Sequence, residues 1–221
     1  MAKLIWDKVG EKLYETGVDN VVLYVQEKNG SYAKGVAWNG ITGITESPSG
    51  AEATAIYADN VKYLNLISAE ELGITIEAYM SPEEFDVCDG NAEVAEGITL
   101  GQQARQKFGL SFRTKIGNDT QDAEHGYKIH IIYNCTASPS EKGYATVNES
   151  PEAMTLSWSV STNPINVEGH KPTALVVIDS TKVKPEVLKA IEDKLYGTEN
   201  EEPTLLTPAE IVALVNSTVA A

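Results

Sequence analysis

Catalysis by side chains needs nucleophiles, acid–base groups or metal ligands at workable spacing, and this chain holds few candidates. Its three imidazoles are His125, His130 and His170. None stands at a spacing such as HExxH, where two ligands share one helix face. His130 falls on the polar face of an alternating run, the place of an ordinary surface histidine. Cys88 and Cys135 are the two cysteines. Their separation fits neither a zinc ribbon nor a CxxC redox pair, so reduced and partly buried thiols are expected. Serine chemistry has no GxSxG, and Ser47-Pro48-Ser49-Gly50 and Ser138-Pro139-Ser140 are turn sequences. Neither a P-loop nor GxGxxG is present to cradle a phosphate.

Carboxylates are plentiful but unpatterned. Glu83, Glu84, Asp86 and Asp89 cluster, yet the alternating ligand positions and bidentate glutamate of a calcium loop are out of register. A solvated helix and turn is expected there. Glycoside hydrolysis needs two carboxyl groups facing across a cleft. Among 32 acidic residues some pairs will suggest this by chance. Trp38, Trp158 and the tyrosines, set on alternating runs, read as core or interface residues. The reading assigns no catalytic, cofactor-binding or metal-binding residue and no cofactor.

The net charge of -15 disfavours nucleic-acid binding through a basic patch, because phosphate neutralisation needs clustered Lys and Arg and no such run exists. The first residues lack the apolar core of a signal peptide. No stretch approaches the ~20 apolar residues of a spanning helix, so no membrane partner is expected. Without export, triplets such as Asn134-Cys135-Thr136 carry no glycosylation meaning.

The elements that would position these residues read as mainly β with short helices. Residues 1–20 form a polar arm with apolar anchors such as Leu4, Trp6 and Val9. Val21 to Trp38 is a hairpin about the Asn29-Gly30 turn. Asn39 to Gly50, rich in Gly, Thr, Ser and Pro, reads as an exposed loop. Ala51–Tyr57 is extended, Asp59-Asn60 is turn chemistry, and Val61–Ile67 is a short apolar run. In Gly73–Met80, Ile74, Ile76, Ala78 and Met80 share one face, the period of a half-buried strand. Ser81, Pro82 and Glu84 then supply a helix cap. Asp86 to Gly97 reads as an acidic loop. Leu110–Ile116 and Tyr127–Tyr133 alternate and form a hairpin, Leu156–Val160 alternates with serines, and Ala174–Ile178 is a continuous apolar run expected to be covered on both faces. Val187, Leu188, Ile191 and Leu195 have helical spacing, ended by Gly197. Thr207, Pro208 and Glu210 start a second helix. The domains are an arm at 1–20, a β-rich core at 21–180 and a helical segment at 181–221.

Several strings, taken in order, resemble the major tail tube protein of long, non-contractile-tailed bacteriophages. They include GVAWNG, SGAEAT, YADNVKYL, TIEAYMSPEEF, GYKIHIIYN, SPSEKGY, ESPEAMTLSW and KPTALVVIDST, and span roughly Leu4 to Tyr196. The resemblance implies a non-enzymatic structural virion protein with a sandwich- or barrel-like fold. In that family six copies close into a ring, strands from each copy complete one barrel, and rings stack into a hollow conduit for DNA ejection. It implies as partners the chain itself, the tape measure protein, the tail initiator or distal tail protein and the tail terminator. Double-stranded DNA would pass through the lumen without specific contacts. The implied location is the virion tail, assembled in the bacterial cytoplasm. Trp6, Asn39, Thr42, Thr45 and Ser49 are the candidate contacts between rings. Some family members carry a C-terminal immunoglobulin-like domain; none is expected here. The competing reading is a non-catalytic carbohydrate- or protein-binding β-sandwich module of a virion.

Overall fold

A computed structural model describes residues 4–147, 149 and 152–219. Residues 1–3 of the expected arm, residue 148, residues 150 and 151 within the resemblance string ESPEAMTLSW, and 220–221 lie outside it. The protein is mainly β. The strands are β1 (Tyr14–Val25), β2 (Val36–Ala37), β3 (Ile41–Gly50), β4 (Ala53–Ala58), β5 (Val61–Ile67), β6 (Glu70–Ala78), β7 (Ala92–Ala95), β8 (Ile98–Leu100), β9 (Phe108–Asn118), β10 (Asp122–Ala137), β11 (Leu156–Thr162) and β12 (Leu175–Asp179). Two helices follow, α1 (Pro185–Tyr196) and α2 (Pro208–Val219).

Eight strands make one sheet in the order β2-β1-β9-β10-β11-β6-β3, with β12 beside β10. All its pairings are antiparallel. The long β10 serves two neighbours on one side: Lys128–Ile132 pairs with β12 and Cys135–Ala137 with β11. The change of partner falls at Asn134, which takes φ 49 at a register shift against β9. Asn tolerates this left-handed backbone better than most residues. Its Oδ1 accepts from Gln26 Nε2 at 3.0 Å and Tyr32 Oη at 3.3 Å, which fixes the bend.

The sheet curls around an inner core without closing. Trp38, Phe85, Phe108 and Trp158 meet there edge-on or tilted, with ring centroids 4.6–5.5 Å apart. Alternation sorts the faces: Ile74, Ile76, Ala78, Leu110, Phe112, Trp158 and Val160 point inward. The opposite face carries Val22, Tyr24, Ile129, Ile131 and Tyr133, covered by Val187, Ile191 and Leu195 of α1, by Leu205 and Leu206, and by Ile211 of α2. Gly109 permits this close cover, since a Cβ there would stand 2.2 Å from Leu205 Cδ2. Thr207 Oγ1 accepts from the Glu210 amide at 3.4 Å while Glu210 Oε2 accepts from the Thr207 amide at 2.8 Å. That is the capping box read from Thr207-Pro208-Glu210. Gly197 ends α1 with φ 79.

The structure corrects several local expectations. Asn39 to Gly50 is not a loop: residues 41–50 are β3, laddered to β6 from Ile41↔Ala78 to Gly50↔Glu70. Gly, Ser and Pro there obscure a strand with one neighbour only, where Pro48 leaves no second ladder incomplete. β1 starts at Tyr14, within the stretch read as an arm, and Glu15 pairs with Ile116. Met80 lies past the end of β6 and is exposed. The turn after β6 is a 3₁₀ helix, Glu83–Phe85, preceded by Pro82 with no side-chain cap from Ser81. Part of the expected acidic loop is the β7–β8 hairpin. In β12 Leu175 packs on the inner core and Val176 and Ile178 on the second, but Val177 is 45% exposed, so the cover expected on both faces fails at that residue.

Candidate functional site

Among the described residues neither outer strand of the main sheet has a full second partner. β3 ladders only to β6. β1 ladders to β9 from Tyr14 to Val25, but its other side meets β2 only at Val22 and Leu23. The outer backbone of Tyr14–Asn20 therefore has no ladder partner among the described residues, nor has that of Ile41–Gly50, and the two strands approach each other within the chain without pairing. Unpaired N–H and C=O rows on long strands are templates for another chain. Arg113, Lys115 and Lys128 near the β1 edge are each matched to a carboxylate. Arg113 Nε donates to Asp19 Oδ1 at 2.7 Å, Lys115 Nζ lies 3.8 Å from Asp19 Oδ2, and Lys128 pairs with Glu15. Asp19 hydrogen bonding raises the Arg113 pKa against the effect of burial.

The β4–β5 hairpin stands apart from the main sheet. Asp59 and Asn60 take φ 52 and 65, the left-handed pair that a two-residue turn of this twist requires. All seven β5 residues are exposed, among them Val61, Tyr63, Leu64, Leu66 and Ile67. Tyr57 and Tyr63 are 69% and 70% exposed. A two-stranded ribbon is marginal alone in water, and this one carries apolar side chains left exposed by the described residues. Contiguous apolar exposure of this kind marks an interaction surface.

The candidate contact residues are dispersed. Trp6 is 75% exposed in the N-terminal segment with Leu4, Ile5 and Val9. Asn39 is exposed just before β3, and Thr42, Thr45 and Ser49 are exposed within it. The last three thus share the open edge strand. The hairpin residues Tyr63, Leu66 and Ile67 were not among the sequence candidates, although Val61–Ile67 reads as a short apolar run. Their exposure depends on where the hairpin projects, which periodicity does not encode.

Among the described residues no three His, Cys, Asp or Glu side chains converge on a metal-sized site. Asp89 is not solvated as expected; it is buried, with Arg105 Nη1 at 3.2 Å and Lys142 Nζ at 2.6 Å. Cys88 and Cys135 are free and buried, and burial pushes the Cys88 thiol up to about 12 and the Cys135 thiol higher. Such thiols are poor nucleophiles. His130 is buried too, against the expectation of a surface position. Alternation places it on the inner face of β10, where Phe112 stacks on it.

No protein-family profile matches the chain, and no curated protein does. Among solved structures, it is similar to a chain in the cryo-EM structure of the anti-feeding prophage (AFP) baseplate. Identity is 10% with a TM-score of 0.36, over 79% of this chain and 97% of that one. A chain of the extended PVC sheath–tube complex, an extracellular contractile injection system, matches at 12% identity with a TM-score of 0.31, over 72% of this chain and 88% of that one. Both scores are too low to establish a shared fold.

Proposed function

We propose that this protein is a structural subunit of a phage tail tube, built to be completed by copies of itself. The observation that carries the reading is the pair of open edges on one curled sheet, at Tyr14–Asn20 and Ile41–Gly50. A head-to-tail contact between the β1 edge of one copy and the β3 edge of the next is heterologous, and such contacts close into a ring when the rotation permits. Main-chain pairing supplies the affinity and side chains set the register. The ordered resemblance from Leu4 to Tyr196 supports six copies per ring and stacking into a conduit. Trp6, Asn39, Thr42, Thr45, Ser49 and the apolar β4–β5 hairpin are the surfaces offered to neighbouring rings.

The charge suits a conduit. Released counterions would hold DNA to a wall of free Lys and Arg. Here the net charge is -15, and Arg113, Lys115 and Lys128 are each matched to a carboxylate. A wall of this kind lets a duplex slide. The tape measure, initiator and terminator proteins are the remaining partners under this reading.

Negative-stain electron microscopy of concentrated protein tests it. Six-fold rings or hollow striated tubes are expected. Monomeric particles at all concentrations, with and without tail initiator proteins and with binding to glycans, would replace it by the carbohydrate-binding reading.

A further inference from the structure

His130 joins three strands besides its own. Its ring stacks on Phe112 of β9, with centroids 4.5 Å apart and planes 5° from parallel. Nε2 lies 3.0 Å from Thr114 Oγ1 of β9 and 3.6 Å from Glu15 Oε1 of β1. Nδ1 lies 3.4 Å from Glu46 Oε1 of β3. One imidazole therefore spans between the strands that carry the two open edges. Lys128, also on β10, is the remaining charged group of the cluster, and it pairs with Glu15.

Hydrogen accounting fixes the ring's state. Thr114 donates its hydroxyl hydrogen to Glu15 Oε1 at 2.6 Å, so towards His130 it presents a lone pair. Nε2 must then carry the hydrogen of that contact. In a neutral imidazole this leaves Nδ1 as a bare acceptor. Nδ1 is buried, has no hydrogen-bond partner and faces a carboxylate oxygen. Two lone pairs in that position repel. One added proton turns the repulsion into a charge-assisted hydrogen bond.

We infer that His130 and Glu46 form a proton-operated clasp, in which uptake of one proton draws β3 towards β10 and β1 and its loss lets β3 swing away. Burial lowers the ring's pKa and outweighs Glu46 and Glu15, which act to raise it, while Lys128 acts with burial. The closed form binds one proton more than the open form, so acid favours closure. Any effect on ring assembly, through the distance between the β1 and β3 edges, rests on the tube reading. The clasp itself does not, and it is read in the unassembled subunit.

The experiment is ¹⁵N NMR of the monomeric chain from about pH 8 downward until the His130 ring has completed its titration, because burial moves that transition below the ordinary histidine value. The amides of Glu15 and Glu46 are expected to shift with the same midpoint as the His130 ring, and the ring to be the Nε2–H tautomer at the basic end. Glu46→Gln offers Nδ1 an N–H without a titrating proton, so its β3 amides should stay at their acid-form positions throughout. A Glu46 amide that ignores the His130 titration, or a Glu46→Gln chain that titrates like the parent, overturns the clasp. Either result is independent of whether tubes form.

Discussion

The Tyr24 hydroxyl donates to the Leu195 carbonyl at 2.6 Å, tying the inner half of β1 to the last turn of α1. The same oxygen lies 3.3 Å from Ser111 Oγ on β9. Tyr133 repeats the device, donating to the Leu206 carbonyl at 2.8 Å. Two tyrosines of the sheet therefore satisfy carbonyls at the end of α1 and just before α2. The helical segment is part of the second core.

Tyr24→Phe keeps the ring in place and strands the Leu195 carbonyl without its donor. Leaving a buried acceptor unpaired costs about 1–3 kcal/mol. Urea unfolding should show a lower midpoint with an unchanged slope. Tyr133→Phe should behave alike, and the two losses should add if the ties are independent.

Asp89 is the buried member of a three-charge cluster. Its side chain is 8% exposed, while Arg105 and Lys142 are 23% and 33% exposed. Asp89→Asn removes the charge but keeps the shape. A loss of about 1.5–3 kcal/mol is expected, the range for hydrogen bonds to charged groups. The measurement is chemical unfolding at low and high salt. A buried pair is screened little, so the loss should persist in salt.

Acid should weaken the β1 edge of the sheet. Burial acts to raise the Glu15 pKa, but hydrogen bonds from Lys128 and Thr114 outweigh it and hold the carboxyl below its ordinary 4.5. Its stabilising contribution is complete above that value and is lost as pH falls through the lower folded one. Asp179 is likewise depressed below its ordinary 3.8, with bonds from Thr181 and Lys182 outweighing burial. Thermal unfolding below about pH 4.5 should therefore steepen with acid, and Glu15→Gln should flatten part of that slope.

Most of the strand framework was legible because period-two alternation survives wherever one face is buried. Leu110–Ile116, Leu156–Val160 and Ile74–Ala78 are examples. The capping box at Thr207 and the Asp59-Asn60 turn were legible because their chemistry is local. β3 was not, since an edge strand tolerates Pro48 and Gly43 and shows no buried alternation. His130 and Asp89 were misplaced for a related reason. Their burial follows from how distant strands curl together, bringing Glu46 to one and Lys142 to the other.

Charged substitutions on the hairpin should separate folding from association. Tyr63→Glu and Leu66→Glu alter residues already 70% and 57% exposed. Stability should change by less than about 0.5 kcal/mol, as for ordinary surface positions. Sedimentation should show that the variants no longer form species larger than those of single rings. Unchanged assembly would remove the hairpin from the stacking contacts.

Hydrogen exchange compared between monomer and assembled protein tests the edge-completion claim most directly. Outward-facing amides of Tyr14–Asn20 in β1 and Ile41–Gly50 in β3 should be unprotected in the monomer and protected in the assembly. The central β9 and β10 amides should be protected in both. Assemblies in which both edges exchange as fast as in the monomer would contradict the account, because the copies would then be joined by some other surface.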